Sequence, residues 1–191
     1  MLHPKSRWLF FLLGLVLLAG CAGQPPQIPP PQETGAQAAL WHWQLQGRLA
    51  IQQGTQRHNA SLEWQQDYQN YQLLIFGPMG QGSARLNGQP FQVDLVTADG
   101  QHLQASSPEQ LIQQGLGWDL PLSNLVYWVR GLPAPGSVDY RNEQTLHQQG
   151  WVVEWPRWTQ TQDYPLPTLI VASRGDFTLR LAITEWTLLN P

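Results

Sequence analysis

From Leu40 onward, apolar and polar residues alternate with a period of two. Trp43, Leu45, Gly47, Leu49 and Ile51 fall on one side, and Gln44, Gln46, Arg48, Ala50 and Gln52 on the other. Ala60, Leu62 and Trp64 then alternate with Ser61, Glu63 and Gln65. Tyr71, Leu73 and Ile75 share a face opposite Leu74 and Phe76, and Ala84-Leu86, Phe91-Val93-Leu95 and Leu103 continue the pattern. Period two places successive side chains on opposite faces of a strand, so the run predicts an antiparallel meander with one apolar face. Asn87-Gly88-Gln89 and Ala98-Asp99-Gly100-Gln101 supply hairpin turns.

The period then changes. Ser107-Pro108-Glu109-Gln110 predicts an N-cap, a proline at the first helical position and a capping-box glutamine, ahead of Leu111-Ile112 and Gly115. A second helix fits Leu122 to Arg130, with Leu122, Leu125, Val126 and Val129 on one stripe and Gly131 as its C-cap. Pro133 and Pro135 forbid its continuation. Strands resume at Trp151–Trp155, Thr168–Ser173 and Phe177–Ile183, and the closing Ile183-Thr184-Glu185-Trp186-Thr187-Leu188-Leu189-Asn190 reads as a last edge. Strands, two short helices, strands: this order predicts one α+β domain over 40–191, a curled antiparallel sheet with helices across one face.

The chain ahead of residue 40 has neither period. Lys5 and Arg7 precede an apolar run from Trp8 to Ala19 broken only by Gly14, the length of a signal-peptide core and short for a membrane span. It ends in Leu18-Ala19-Gly20-Cys21, which resembles the bacterial lipobox, where cleavage before the cysteine follows its lipid modification. The expectation is a leader over 1–20 that is removed and a lipidated Cys21. An ordinary secretory leader with an incidental cysteine is the alternative. Ala22 follows, rather than the Asp that resembles an inner-membrane retention signal, which points to the outer membrane. Residues 22–39 hold five prolines and no periodicity, so 21–39 reads as a lipidated, extended tether.

Charge and composition narrow the function. Loss of the leader removes the one lysine and leaves eight arginines against thirteen acidic groups, so no basic footprint for nucleic acid exists. Cys21 is the only cysteine, which excludes a disulfide framework. Nine tryptophans remain, more large apolar surface than a small core needs, and this fits either a lined cavity or a Trp-rich core. The serine-hydrolase elbow is absent, and Ser83 in Gly80-Gln81-Gly82-Ser83 has the wrong spacing for it. His42, His58, His102 and His147 are not spaced as metal ligands, and the same glycine-rich stretch lacks the lysine of a phosphate loop. Nothing in the residues argues for catalysis, a metal or a cofactor.

One turn is odd. Gly77-Pro78-Met79-Gly80 suits a type I turn, with proline at its second position and glycine at its fourth. Its third position ordinarily faces water, yet it holds Met79. Either this side chain contacts something apolar outside the domain, or it folds back under the sheet as core.

Three stretches carry a family resemblance: Leu62–Leu86, Gly117–Gly136 with its Pro-Leu-Ser-Asn-Leu…Trp…Gly-Leu-Pro pattern, and Leu181–Leu189. In order, and over Leu40 to Leu189, the chain resembles the LolB family of outer-membrane lipoprotein receptors. The resemblance implies an incomplete antiparallel β-barrel closed by helices around an apolar cavity. It implies a lipid-anchored, monomeric protein at the periplasmic side of the outer membrane, with no enzymatic activity and no cofactor. Its partners would be a LolA-type soluble periplasmic carrier, acylated lipoproteins as cargo, and outer-membrane lipid. Family members carry an exposed apolar residue at the tip of a loop after the third strand, commonly Leu in Pro-Leu-Gly; here Pro78, Met79 and Gly80 stand there, with Gly77 where Asn is common. The cavity wall would be Trp43, Leu45, Leu49, Leu62, Trp64, Leu73, Ile75, Phe91, Val93 and Leu95, under a lid of Leu122, Leu125, Val126 and Val129. Each of these fits packed core equally well. A soluble carrier of the same fold would lack the lipobox and the Met79 turn, whereas a lipoprotein scaffold or general lipid-binding module would need no such loop.

Overall fold

The computed structural model describes residues 39–77, 83–161 and 165–189. Eleven strands form one antiparallel sheet. In chain order they are β1 (His42–Gln53), β2 (Gln56–Asp67), β3 (Asn70–Phe76), β4 (Ser83–Gln89), β5 (Gln92–Thr97) and β6 (His102–Ala105), then β7 (Tyr140–Arg141), β8 (Thr145–Gln148), β9 (Trp151–Gln160), β10 (Pro165–Arg174) and β11 (Phe177–Leu188). Two helices, α1 (Pro108–Leu116) and α2 (Leu122–Trp128), separate the two groups of strands. The lateral order is β6-β5-β4-β3-β2-β1-β11-β10-β9-β8-β7. The C-terminal strand is therefore not an edge, as its sequence suggests, but a central strand between β1 and β10. A local alternation reveals a strand's faces, not its neighbours.

The predicted alternation sets the inner face. Trp43, Leu45, Leu49 and Ile51 of β1, Leu62 and Trp64 of β2, and Leu73 and Ile75 of β3 are all buried, while the intervening polar residues face out. Cross-strand pairing puts these positions in register: Leu45 opposite Trp64, Trp64 opposite Leu73, Leu73 opposite Leu86, Leu86 opposite Leu95. The sheet curls where its ladders slip. One slip lies at Gln46/Gly47 between β1 and β11, and a Cβ at Gly47 would stand 2.7 Å from the Ala182 carbonyl oxygen, so only glycine permits this approach. Two more fall in the β9–β10 ladder, around Pro156 and Pro167, where proline lacks the N–H that a regular ladder needs.

The helices follow their signals. The Ser107 side chain caps α1 by accepting from Gln110 N, and Gly117, in the left-handed region, ends the helix. Its acidic first-turn residue does a second job: Glu109 accepts from the Ser107 hydroxyl and from Ser123 N (2.7 Å), tying α1 to the first turn of α2. α2 is shorter than predicted, closing with Gly131 N donating to Trp128 O (3.0 Å). Fully buried Arg130 then donates through Nε to Val126 O (3.0 Å) and through Nη1 to Leu40 O (2.9 Å), and lies over the Trp41 ring at 4.0 Å. This side chain fastens the end of α2 to the entry of β1.

One predicted turn is displaced. Asn87 and Gly88 stay in the β4–β5 ladder, opposite Asp94 and Val93, and the hairpin turns at Pro90-Phe91 instead. Proline presets the second position of such a turn, and Phe91 takes φ +66°, the left-handed value its third position demands. Phe91 is accordingly 95 % exposed and is no part of the cavity wall, a correction to the sequence reading: the alternation that continues into Val93 and Leu95 breaks at the turn.

Candidate binding site

Below α2 the inner face encloses space. A hollow of about 540 Å³ lies between α2 and the strands β2 and β3, lined by Trp41, Trp64, Gln66, Tyr68, Gln69, Tyr71, Pro108, Leu122, Ser123, Val126 and Tyr127. Its volume falls within the range of roughly 300–1,000 Å³ found for small-molecule sites. Most of the surface is aromatic or aliphatic, and half-exposed Tyr68 stands at the rim.

Of the residues predicted to form wall and lid, Trp64, Leu122 and Val126 reach this hollow. Trp43, Leu45, Leu49, Leu62, Leu73, Ile75, Val93, Leu95, Leu125 and Val129 are buried, and they belong to the packed interior around it. The sequence reading missed Trp41, Gln66, Tyr71 and Tyr127. Tyr71 and Gln66 could have been found, since both continue the buried alternation of their strands, but their polar ends disguised them. Trp41 and Tyr127 had no such signal; they meet edge to face at 5.8 Å only because Arg130 brings the two segments together.

The buried polar groups of the hollow are partnered, with one exception among the described residues. Trp64 Nε1 donates to Gln66 Oε1 (3.0 Å), and Gln66 Nε2 donates to Tyr68 O (2.6 Å), so this buried amide is held at both ends. The Tyr71 hydroxyl is the exception: it is shielded from solvent and meets no partner among the described residues. Burial, and after it the Glu109 carboxylate, pushes its pKa well above the usual phenol value, so it stays protonated. Among the described residues no group of three or more His, Cys, Asp and Glu gathers to hold a metal, and no helix is long and apolar enough to cross a membrane. Such a hollow can take up an apolar chain by desolvation. Cys21, Pro78, Met79 and Gly80 lie outside the described residues.

Fold and hollow together define a half-barrel with a largely apolar hollow under its second helix. The fold has solved counterparts: a LolA superfamily protein from Nitrosomonas europaea superposes with a TM-score of 0.52 at 8% identity, covering 80% of this chain and 88% of that one. A DUF1329 family protein from Desulfovibrio piger does so at 0.50 and 7% identity over the same shares. The model of the family described as "Outer membrane lipoprotein LolB" matches residues 41–186. Proteins named outer-membrane lipoprotein LolB from Chromohalobacter salexigens (37% identical, 96% of this chain and 91% of theirs) and Alkalilimnicola ehrlichii (36%, 96% and 98%) align nearly end to end. So does that of Pseudomonas fluorescens, at 37% over 90% of this chain and 91% of its own. The chain belongs to the LolB family: it is an outer-membrane lipoprotein and acts as a receptor in lipoprotein localisation.

Proposed function

We propose that this receptor takes the acyl chains of lipid-modified proteins from a LolA-type soluble carrier into the hollow under α2, and then releases them into the outer membrane. The hollow itself carries the reading: about 540 Å³ bounded by Trp41, Trp64, Leu122, Val126 and Tyr127. Exposing one long acyl chain to water costs on the order of 10 kcal/mol, at ~0.8 kcal/mol per CH₂, so cargo must move from one apolar shelter to the next. No covalent step is needed; direction comes from graded affinity, carrier below receptor and receptor below bilayer. Several chains exceed the hollow as it stands.

In this reading residues 1–20 are removed, Cys21 carries the lipid, and 21–39 tether the domain over 40–191 near the membrane. Met79, flanked by Pro78 and Gly80, is the apolar tip that touches the bilayer during release, and the receptor works as a monomer. The test uses the full chain and a fluorescent hydrophobic probe. Uptake of the probe, and its displacement by a triacylated lipopeptide, are expected; a chain that takes up neither would overturn the proposal.

A further inference from the structure

The one buried polar group of the hollow that has no partner among the described residues, the Tyr71 hydroxyl, sits in a prepared seat. Gln66, Tyr71, Gly88 and Val93 form a row across β2, β3, β4 and β5, each opposite the next. Glycine at the third position leaves a gap in the inner face, and the Tyr71 ring fills it: a Cβ at Gly88 would lie 2.0 Å from Tyr71 Cζ and 2.5 Å from its oxygen. The ring is thus laid flat toward the neighbouring strand, which no other residue at 88 would allow. Tyr71 lines the hollow, and its hydroxyl ends in a shielded position without a partner among the described residues.

The neighbours that might have paired with it are committed. The Gln66 oxygen accepts from Trp64, and its amide nitrogen donates to Tyr68 O. Glu109, the charged group that acts on Tyr71, has one carboxylate oxygen on Ser123 N and the other on the Ser107 hydroxyl. A buried hydroxyl left open beside committed neighbours is costly in a native fold and calls for an explanation. An acyl chain supplies one. Hydrocarbon makes no demand on a donor, but every acyl chain on a lipoprotein ends in an ester or amide carbonyl, and that acceptor loses its water as the chain enters.

We infer that the Tyr71 hydroxyl, seated by Gly88, donates a hydrogen bond to the carbonyl that joins an acyl chain to its headgroup, and so sets how deep the chain enters the hollow. This rests on the acyl-chain reading above. Tyr71 gives the site a preference for acylated cargo over bare hydrocarbon. Because the phenol stays protonated, the donor is present at every physiological pH.

The test is isotope-edited infrared spectroscopy of the full chain with a triacylated lipopeptide, carrying carbon-13 either at the ester carbonyls or at the amide carbonyl. One of the two labelled bands should shift to lower frequency on binding, and which one identifies the bonded group. Tyr71→Phe should abolish that shift and lower the ratio of lipopeptide affinity to that of a long alkane about five- to tenfold, the loss of one neutral hydrogen bond. Gly88→Ala, which displaces the ring, should abolish the same shift. Thermal stability of Tyr71→Phe should be equal to wild type or higher, since an unpaired group is removed. A wild-type complex with neither band shifted, or a Tyr71→Phe complex with unchanged bands and affinity ratio, would overturn the inference while leaving lipopeptide binding intact. If the wild type binds neither lipopeptide nor alkane, it is the acyl-chain reading that falls, and this one with it.

Discussion

The two sides of α2 look alike in sequence and behave oppositely in the fold. On one side, Leu125, Trp128 and Val129 are fully buried among aromatic rings. Trp128 meets Trp151 at 5.4 Å, Trp151 meets Phe177 at 5.6 Å, and Trp155 Nε1 donates to Trp128 O at 2.8 Å. On the other side, Leu122, Val126 and Tyr127 face the hollow. The same helical period yields a packed seam and an open wall within the eight residues from Leu122 to Val129. Rings packed in contact resist any loss of volume, whereas a wall with no facing atoms forgoes dispersion contacts and stays free to accept a ligand. The filled side holds the helix in place so that the hollow side can remain unfilled.

Four changes test this division, from the largest effect to the smallest. Trp128→Ala removes the ring on which the packed seam is built and should cost about 3–5 kcal/mol of stability in denaturant titrations. Met79→Glu charges the proposed membrane-contact tip; on that reading, uptake from the carrier persists. Delivery to liposomes should slow more than a hundredfold, because a carboxylate would have to enter an apolar layer. Scoring uptake and release as separate steps checks it, and Met79→Leu should be nearly silent. Val126→Trp puts a ring into the hollow from the lid. Probe affinity should fall roughly tenfold, while stability changes by less than about 1.5 kcal/mol, because the added volume meets space and not packed atoms. The same change at a packed position would be strongly destabilising, so equal losses at both would dissolve the distinction. Finally, Phe91→Gly relieves a left-handed residue that buries nothing, and should raise stability by about 1 kcal/mol with uptake unchanged.

Much of this fold was legible in the alternation, because one sheet face is buried and the other wet, and a strand so placed must alternate. Ser107-Pro108 and Gly131 marked the helices for equally local reasons. What was hidden depends on distance or on volume. The two-residue β7 and the four-residue β8 are too short to show a period. The pairing of β1 with β11 joins segments more than a hundred residues apart, and neither strand's own pattern encodes it. At Asn87-Gly88 a strong turn signal loses to packing, since the glycine is needed under Tyr71 and the chain turns at Pro90 instead. The hollow was legible only as apolarity. Leu73 and Val126 look equivalent on paper, yet one has neighbours on every side and the other faces space.

The central place of β1 has a mechanical consequence. The strand is hydrogen-bonded along both sides, to β2 from His42–Asp67 to Gln53–Gln56 and to β11 from Trp43–Leu188 to Gln53–Phe177. On the proposed reading, the tether to the membrane leaves from its first residue. Tension along that segment runs parallel to β1, across bonds that lie perpendicular to it, and so loads two ladders in shear instead of unzipping them one bond at a time. Resistance to such a pull is governed by the unfolding rate and not by equilibrium stability. A domain leashed at one end is held by the strand with the most grips on the rest of it.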